Sequence, residues 1–422
     1  MKAAALAAIL LLPAAAGASP LSLDEAVALA VRNSPATLAA EQDIIIARQR
    51  VREARFMQLP QLTLSGTASR VNLEYPVVLG SELGERFLDP AISDTFYTLR
   101  AQALQPLYTG GRNTNTIKMA RAAHNQAKVS YEAVKAQAAL DAKKAFYSLL
   151  YQRRLLERAG AWSARAAAIS AAVRKDAYEE LEASVLLSGL TDRARQAASA
   201  EGAASVELQR VISREPGQNL EISGELAPQP VPADPAPSLA TAMESRPELK
   251  SELYRAQMDD IAVNMALVRR YPTVYLGASY DVNAYGVSDL ADDSMRSKNW
   301  VASLAIHFPI SYDVWTQVQQ RRAQQRQGDL ERIELQDKVR FEILSAHKDA
   351  RFWADEAARL AAETARLGAA YEAAAASGRP TMAALRAFCA LCEMEKRAMD
   401  AVYAQLAARA RLEWARGADL PR

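Results

Sequence analysis

A duplicated plan constrains this chain more than any other feature. Between Ser22 and Phe56 a polar-capped helical stretch leads into Leu59-Pro60 and an alternating strand from Leu62 to Ser69. A second helical stretch, led by Ser238, reaches Tyr271-Pro272 and another alternating strand from Thr273 to Tyr280. Asn33-Ser34-Pro35 is answered by Ser245-Arg246-Pro247. Each copy then has a further strand expected to stop at a proline, Pro106 or Pro309, followed by a very long helical run. The offset, roughly 210 residues, far exceeds the period of a solenoid unit, so this is a duplicated half-molecule. The repeats span 19–213 and 238–422, joined by a linker over 214–237 that is dense in Pro and Gly.

At 422 residues, rich in alanine and with 17 glycines, the chain favours long helices over a compact α/β enzyme. Its 51 basic and 49 acidic residues balance, which gives no pull towards nucleic acid. Residues 1–18 read as a signal peptide. Lys2 supplies the positive start, Ala3 to Leu12 the apolar stretch, and Ala16-Gly17-Ala18 the cleavage site before Ser19. The first cysteine is Cys389, which excludes lipid attachment behind that site, and no other apolar run is long enough to span a bilayer as a helix. Cys389 and Cys392 read as two small apolar residues on one helix face, with a local disulfide as the alternative. His124, His307 and His347 lack metal-ligand spacing, and there is neither a nucleophile elbow nor a phosphate loop. No enzymatic activity and no cofactor are expected.

The informative chemistry lies in four strands, predicted over about 61–71, 95–107, 272–282 and 300–309. Leu62, Leu64, Gly66 and Ala68 alternate with Thr63, Ser65, Thr67 and Ser69; Tyr97, Leu99, Ala101 and Ala103 alternate with Thr98, Arg100 and Gln102. The third and fourth strands repeat the pattern, with Val274, Leu276, Ala278 and Tyr280, then Trp300, Ala302, Leu304 and Ile306, as their apolar sets. Strands of about ten residues, tilted, suit a bilayer. Aromatic residues gather at the strand ends, among them Tyr75, Tyr108, Tyr271, Tyr285, Trp300, Phe308 and Tyr312, as in the girdle of a membrane barrel. Arg100, Gln102, Asp281 and His307 fall on the polar side and are candidate lumen-facing residues. Four strands cannot close a barrel, so two or more chains must share one. The polar segments 72–93 and 283–299 read as external loops.

Long helices are predicted over about 113–182 and 314–376, each roughly 100 Å at ~1.5 Å per residue. Return helices follow over about 187–213 and 382–416. Helices of this length need lateral packing, and their alanines permit close coiled-coil-like contact. Ser377-Gly378-Arg379-Pro380 breaks the second long helix. Matching Ala177-Tyr178-Glu179 to Ala370-Tyr371-Glu372 puts the first turn at 178–187, where Glu179, Glu180 and Glu182 are acidic.

The segment order resembles the TolC-like outer-membrane efflux proteins. The resemblance rests on Leu21-Ser-Leu-Asp-Glu-Ala-Val-x-x-Ala30, Asn33-Ser-Pro35, Leu59-Pro60, Gln105-Pro-Leu-Tyr-Thr-Gly-Gly-Arg112, Phe308-Pro-Ile310 and Tyr371-x6-Gly378. It implies a mixed α and β fold: a long α-helical barrel of coiled-coil-like helix pairs, continuous with a transmembrane β-barrel shared by three protomers with four strands each. It also implies a passive conduit of an efflux or type I secretion system in the Gram-negative outer membrane, extending into the periplasm. The partners would be a periplasmic adaptor, an inner-membrane pump and outer-membrane lipid. The turns would carry the adaptor contact, with Ser377, Gly378, Arg379, Pro380, Glu182, Ala183 and Ser184 as candidates. Under threefold symmetry a tip glutamate would become a cation-favouring ring. Two departures stand out: Ser311-Tyr-Asp-Val-Trp315 replaces a second Gly-Gly-Arg, and the first turn lacks glycine. The competing reading is an exported periplasmic coiled-coil scaffold without a pore.

Overall fold

The computed structural model describes residues 20–74, 91–173, 176–217, 220–310, 312–378 and 381–417. The expected leader (1–18), Tyr75, Ser311, Arg379, Pro380 and the side chain of Ser377 lie outside the described residues.

The duplication is visible element by element. The first copy runs α1 (Leu23–Asn33), α2 (Pro35–Phe56), β1 (Gln61–Glu74), β2 (Ala91–Tyr108), α3 (Arg112–Ala172) and α4 (Ala177–Val211). The second runs α5 (Ala236–Ser245), α6 (Pro247–Val268), β3 (Thr273–Ala284), β4 (Ser297–His307), α7 (Val314–Ser377) and α8 (Met382–Arg416). α2 and α6 are both 22 residues long and α4 and α8 both 35, so the repeat holds in length as well as in order. The punctuation acts alike in both copies. Pro35 and Pro247 each open a new helix, a position where the missing N–H costs nothing, and the residue before each proline leaves the helical conformation. Ser22 caps α1 in a capping box with Glu25, Oγ accepting from the Glu25 amide at 3.3 Å. Ser238 does not repeat this role. α5 starts at Ala236 behind Pro235, and Ser238 is buried inside the helix.

The chain forms two compact units. One comprises Met1–Glu41, Ser130–Leu249 and Leu335–Arg422, the other Gln42–Val129 and Lys250–Glu334. In the first unit, Ala26, Val27 and Ala30 of α1 pack with Phe146 and Leu149 of α3, Leu208 of α4 and Leu406 of α8. A second cluster joins Trp162 and Ala166 of α3, Leu190 of α4, and Leu385 and Phe388 of α8. A third joins Ala242 of α5, Ile343 and Ala346 of α7, and Leu412 of α8. The linker is held here by side chains reaching its backbone. Fully buried Gln405 donates to the Gln229 carbonyl at 2.6 Å and accepts from the Gln229 amide at 3.2 Å, so its amide is satisfied in both directions. His347 bonds the Pro232 carbonyl at 2.8 Å, and a parallel bridge joins Leu21 to Ile222.

The second unit holds one antiparallel sheet in the order β1-β2-β3-β4. β2 does not stop at Pro106 as expected. It continues to Tyr108, with the β2–β3 register shifting between Pro106 and Tyr108 where proline offers no donor. The expected end of the first long helix is also corrected. α3 stops at Ala172, not near 182, and α4 already opens at Ala177, where Asp176 caps it in a capping box with Glu179. The segment 178–187 is therefore the opening of α4, not the turn itself.

β2 passes to α3 through Gly110 and Gly111, at φ of 63° and 95°. A Cβ on Gly110 would sit 2.8 Å from the Tyr271 Cβ as well as in the left-handed region. Gly110→Ala is expected to lower stability by about 1–3 kcal/mol. Gly202→Ala, in open space within α4, should raise it by about 0.4–1 kcal/mol. Thermal unfolding of the two purified variants checks both signs.

Candidate functional site

The register gathers the four alternations into two faces. Thr63 lies opposite Gln102, which lies opposite Ser279; Ser65 opposite Arg100, then Asp281, then Asn299. On the other side Leu64, Ala101, Tyr280 and Trp300 form a row, as do Leu62, Ala103, Ala278 and Ala302. A slip of one residue in any ladder would mix the two sets. Polar contacts fix the β2–β3 ladder. Arg100 Nε donates to Asp281 Oδ1 at 2.6 Å, and Thr98 Oγ1 donates to Asn283 Oδ1 at 2.7 Å. The apolar side is bare: Leu62 and Leu64 are 81% and 82% exposed, and Trp300 is 76%. β4 is exposed on both faces. Among the described residues no helix is long and apolar enough to cross a membrane.

Of the candidate polar-face residues, Arg100 and Asp281 meet as an ion pair, and Gln102 stands one row away. His307, at the end of β4, also lines a cavity of about 910 Å³ with Arg112 of α3, Arg269, which follows α6, and Arg321 of α7. The sequence named Arg112 only as part of its Gly-Gly-Arg motif and gave no sign of the cavity, because the lining residues come from separate parts of the chain.

The candidate turn residues separate. Glu182 is paired with Arg386 of α8, Nε donating to Oε1 at 2.6 Å, and that hydrogen bond together with the guanidinium charge holds the carboxyl below its ordinary pKa. Ala183 is 1% exposed within the α3–α4–α8 cluster and so packs internally. Ser184 is exposed, its hydroxyl donating to the Leu181 carbonyl at 2.7 Å. Gly378 follows α7 directly, and Arg379 and Pro380 lie outside the described residues. Sequence reasoning passed over Tyr178, Leu181 and Val185, which expose an apolar stripe on the first turns of α4, with Tyr178 at 86%. Their spacing of three and four residues was the available signal. Near them Arg165 pairs with Glu372 at 2.6 Å and lies over the Phe388 ring at 5.2 Å.

The fold is that of outer-membrane channels. The chain is similar to the MtrE outer membrane channel of Neisseria gonorrhoeae in its open state, with 16% identity and a TM-score of 0.77 over 94% of this chain and 88% of that one. It is similar to the CmeC outer membrane channel of Campylobacter jejuni, with 14% identity and a TM-score of 0.75 over 94% and 85%. It is also similar to the outer membrane protein VceC of Vibrio cholerae, with 15% identity and a TM-score of 0.73 over 94% and 96%. No curated protein matches by sequence. Residues 26–180 match the family described as Outer membrane efflux protein, so over that stretch the resemblance to TolC-like outer-membrane efflux proteins holds in sequence as well as in fold.

Cys389 and Cys392 are free thiols. Burial, then the charge of Glu395 and neighbouring Cys389, push Cys392 up to about 12, against weaker opposing pulls from Arg193 and Arg158. A raised thiol pKa keeps the group neutral through the physiological range, the reverse of a redox-active C-x-x-C. Alkylation of Cys392 by iodoacetamide at neutral pH should be on the order of a thousandfold slower than that of an ordinary thiol from thiolate content alone. It should accelerate steadily as pH rises, which mass spectrometry of the labelled peptide would follow.

Proposed function

We propose that three copies of this chain contribute four strands each to a twelve-stranded barrel in the outer membrane, and that the assembly is the passive exit duct of a tripartite efflux or type I secretion system. The carrying observation is the register, which sorts the strands into one bare apolar face and one polar face while leaving β1 and β4 as open edges. Unpaired backbone groups are not tolerated in hydrocarbon, so each edge calls for a neighbouring copy. The apolar face then meets lipid and the polar face lines water, which would put Arg100, Gln102 and Asp281 in the lumen.

The helices support assembly with other copies. Along α7, Leu330, Phe341 and Phe352 recur at eleven-residue steps and are exposed, as are Ile333 and Leu344 beside them. Such steps stay on one helix face. An uncovered apolar stripe of that length fits lateral packing against another chain. The stripe of Tyr178, Leu181 and Val185 and the segment around Gly378 fit a contact with a periplasmic adaptor, which would connect the duct to an inner-membrane pump. Residues 1–18 would direct export.

Placing charge on each face tests this reading. Leu64→Arg should cost about 2–4 kcal/mol if the face meets lipid, whereas Ser65→Arg should be tolerated. The measurement is the yield of heat-resistant oligomer in outer-membrane fractions and the conductance of purified protein in planar bilayers. A soluble scaffold would behave otherwise: Leu64→Arg would be neutral, and the wild-type chain would stay monomeric without detergent. That outcome would overturn the duct.

A further inference from the structure

We propose that the foot of the strands forms a cationic vestibule selecting amphiphilic organic anions, an inference that rests on the duct reading of the polar face. The vestibule is the cavity of about 910 Å³ already described, and three polar-face residues of the sheet, Thr273, Tyr275 and His307, line it directly. Arg112, Arg269 and Arg321 also line it, and among the described residues no carboxylate does.

The pairing of these arginines decides the local field. Arg269 is partly neutralised by Asp313 at 3.7 Å. Arg321 donates to Gln324 at 2.9 Å and, like Arg112, meets no carboxylate among the described residues. The two helices themselves are one-sided over this stretch, although α6 brings Asp260 beside Lys118 and Arg121 and Asp313 directly precedes α7. From Arg112 to Lys128 α3 carries Lys118 and Arg121 and no acid; from Val314 to Gly328 α7 carries Arg321, Arg322 and Arg326 and no acid. Both long helices begin at this level, at Arg112 and Val314, so the positive ends of their dipoles add to the same sign. Cations in a low-dielectric cleft focus the field and raise the local concentration of anions. In the assembled duct each arginine becomes a ring, the arrangement by which pores choose the sign of a solute.

The rest of the lining defines the ligand further. Met119, Met265, Val268 and Tyr271 put flexible and aromatic apolar surface beside the arginines. Methionine adapts to irregular shapes, and guanidinium groups take carboxylates and sulfonates in forked geometry. The class that satisfies both parts is a solute with an apolar body and an anionic head.

The test uses the purified mature protein in planar bilayers under a KCl gradient. Wild type should show a reversal potential on the chloride side. Arg112→Gln with Arg321→Gln should shift it towards zero or to the potassium side, and Arg112→Lys with Arg321→Lys should retain it, which separates charge from folding. Cholate, an amphiphilic carboxylate, should reduce the wild-type current more than that of the glutamine pair. Potassium preference in wild type, an unchanged reversal potential in the glutamine pair, or equal cholate block in both would overturn the vestibule while leaving the duct intact. Absence of any conductance from folded oligomer would sink the duct reading, and the vestibule with it.

Discussion

A sheet with an apolar face, a polar face and, among the described residues, two open edges is the constraint from which the rest of the structure follows. Within such a sheet every ladder must hold its register, because the side-chain period is two and a single slip exchanges the faces. The β2–β3 ladder bears most of this demand, since it joins the first copy of the repeat to the second. It is also where specific polar contacts concentrate, with Arg100 against Asp281 and Thr98 against Asn283. The two hairpins β1–β2 and β3–β4 draw their register from within one copy. The junction between copies has to be specified by side chains.

The helices solve a different problem. A helix of 61 or 64 residues is not stable alone, and alanine-rich sequences bury little area per residue. The first unit compensates by inserting large residues at intervals. Phe146 and Leu149 anchor one cluster, Trp162 and Phe388 another, and Ile343 and Leu412 a third, with alanines between them allowing close approach. Carboxylates finish the work at the polar margins. Glu395 accepts from the indole of Trp162 at 2.8 Å and from Arg158 at 2.5 Å, so a buried ring N–H and a guanidinium share one acceptor.

The strands, the two long helices and their duplicated order were legible because period two and an uninterrupted helical pattern are local signals. The proline punctuation was equally legible, since Pro35 and Pro247 act on their immediate neighbours. Where the reading slipped, the determinant was a weaker local signal or a non-local contact. The end of α3 was placed ten residues late because no Gly or Pro marks it. Asp176 and Glu179 do mark it, as a capping box, and that pattern was open to inspection. Ser238 leads the second helical stretch in sequence, but α5 opens two residues earlier, at Ala236, behind a proline that offers no side-chain cap. The cavity could not be read at all. Arg112, Arg269, Arg321 and His307 lie on different elements, and a whole-chain charge near zero conceals where each sign sits.

Both units pair charges, but the first uses arginines to join one helix to the next. In the first unit arginines reach carboxylates on a neighbouring helix: Arg158 meets Glu395, Arg165 meets Glu372, Arg193 meets Glu393 and Arg386 meets Glu182. Those cations are spent on holding helices together, and exposed pairs of this kind leave little net field. In the second unit Arg255 follows the same habit with Glu331, but among the described residues no carboxylate lines the cavity and only Arg269 has one nearby, Asp313. Arg112 and Arg321 are exposed and meet no carboxylate among the described residues, so their charge is open to whatever occupies the space in front of them. The second copy even supplies Asp313 beside Arg269 where the first has Gly111 before Arg112, so the duplicated halves have diverged at the strand-to-helix junction in charge as well as in backbone.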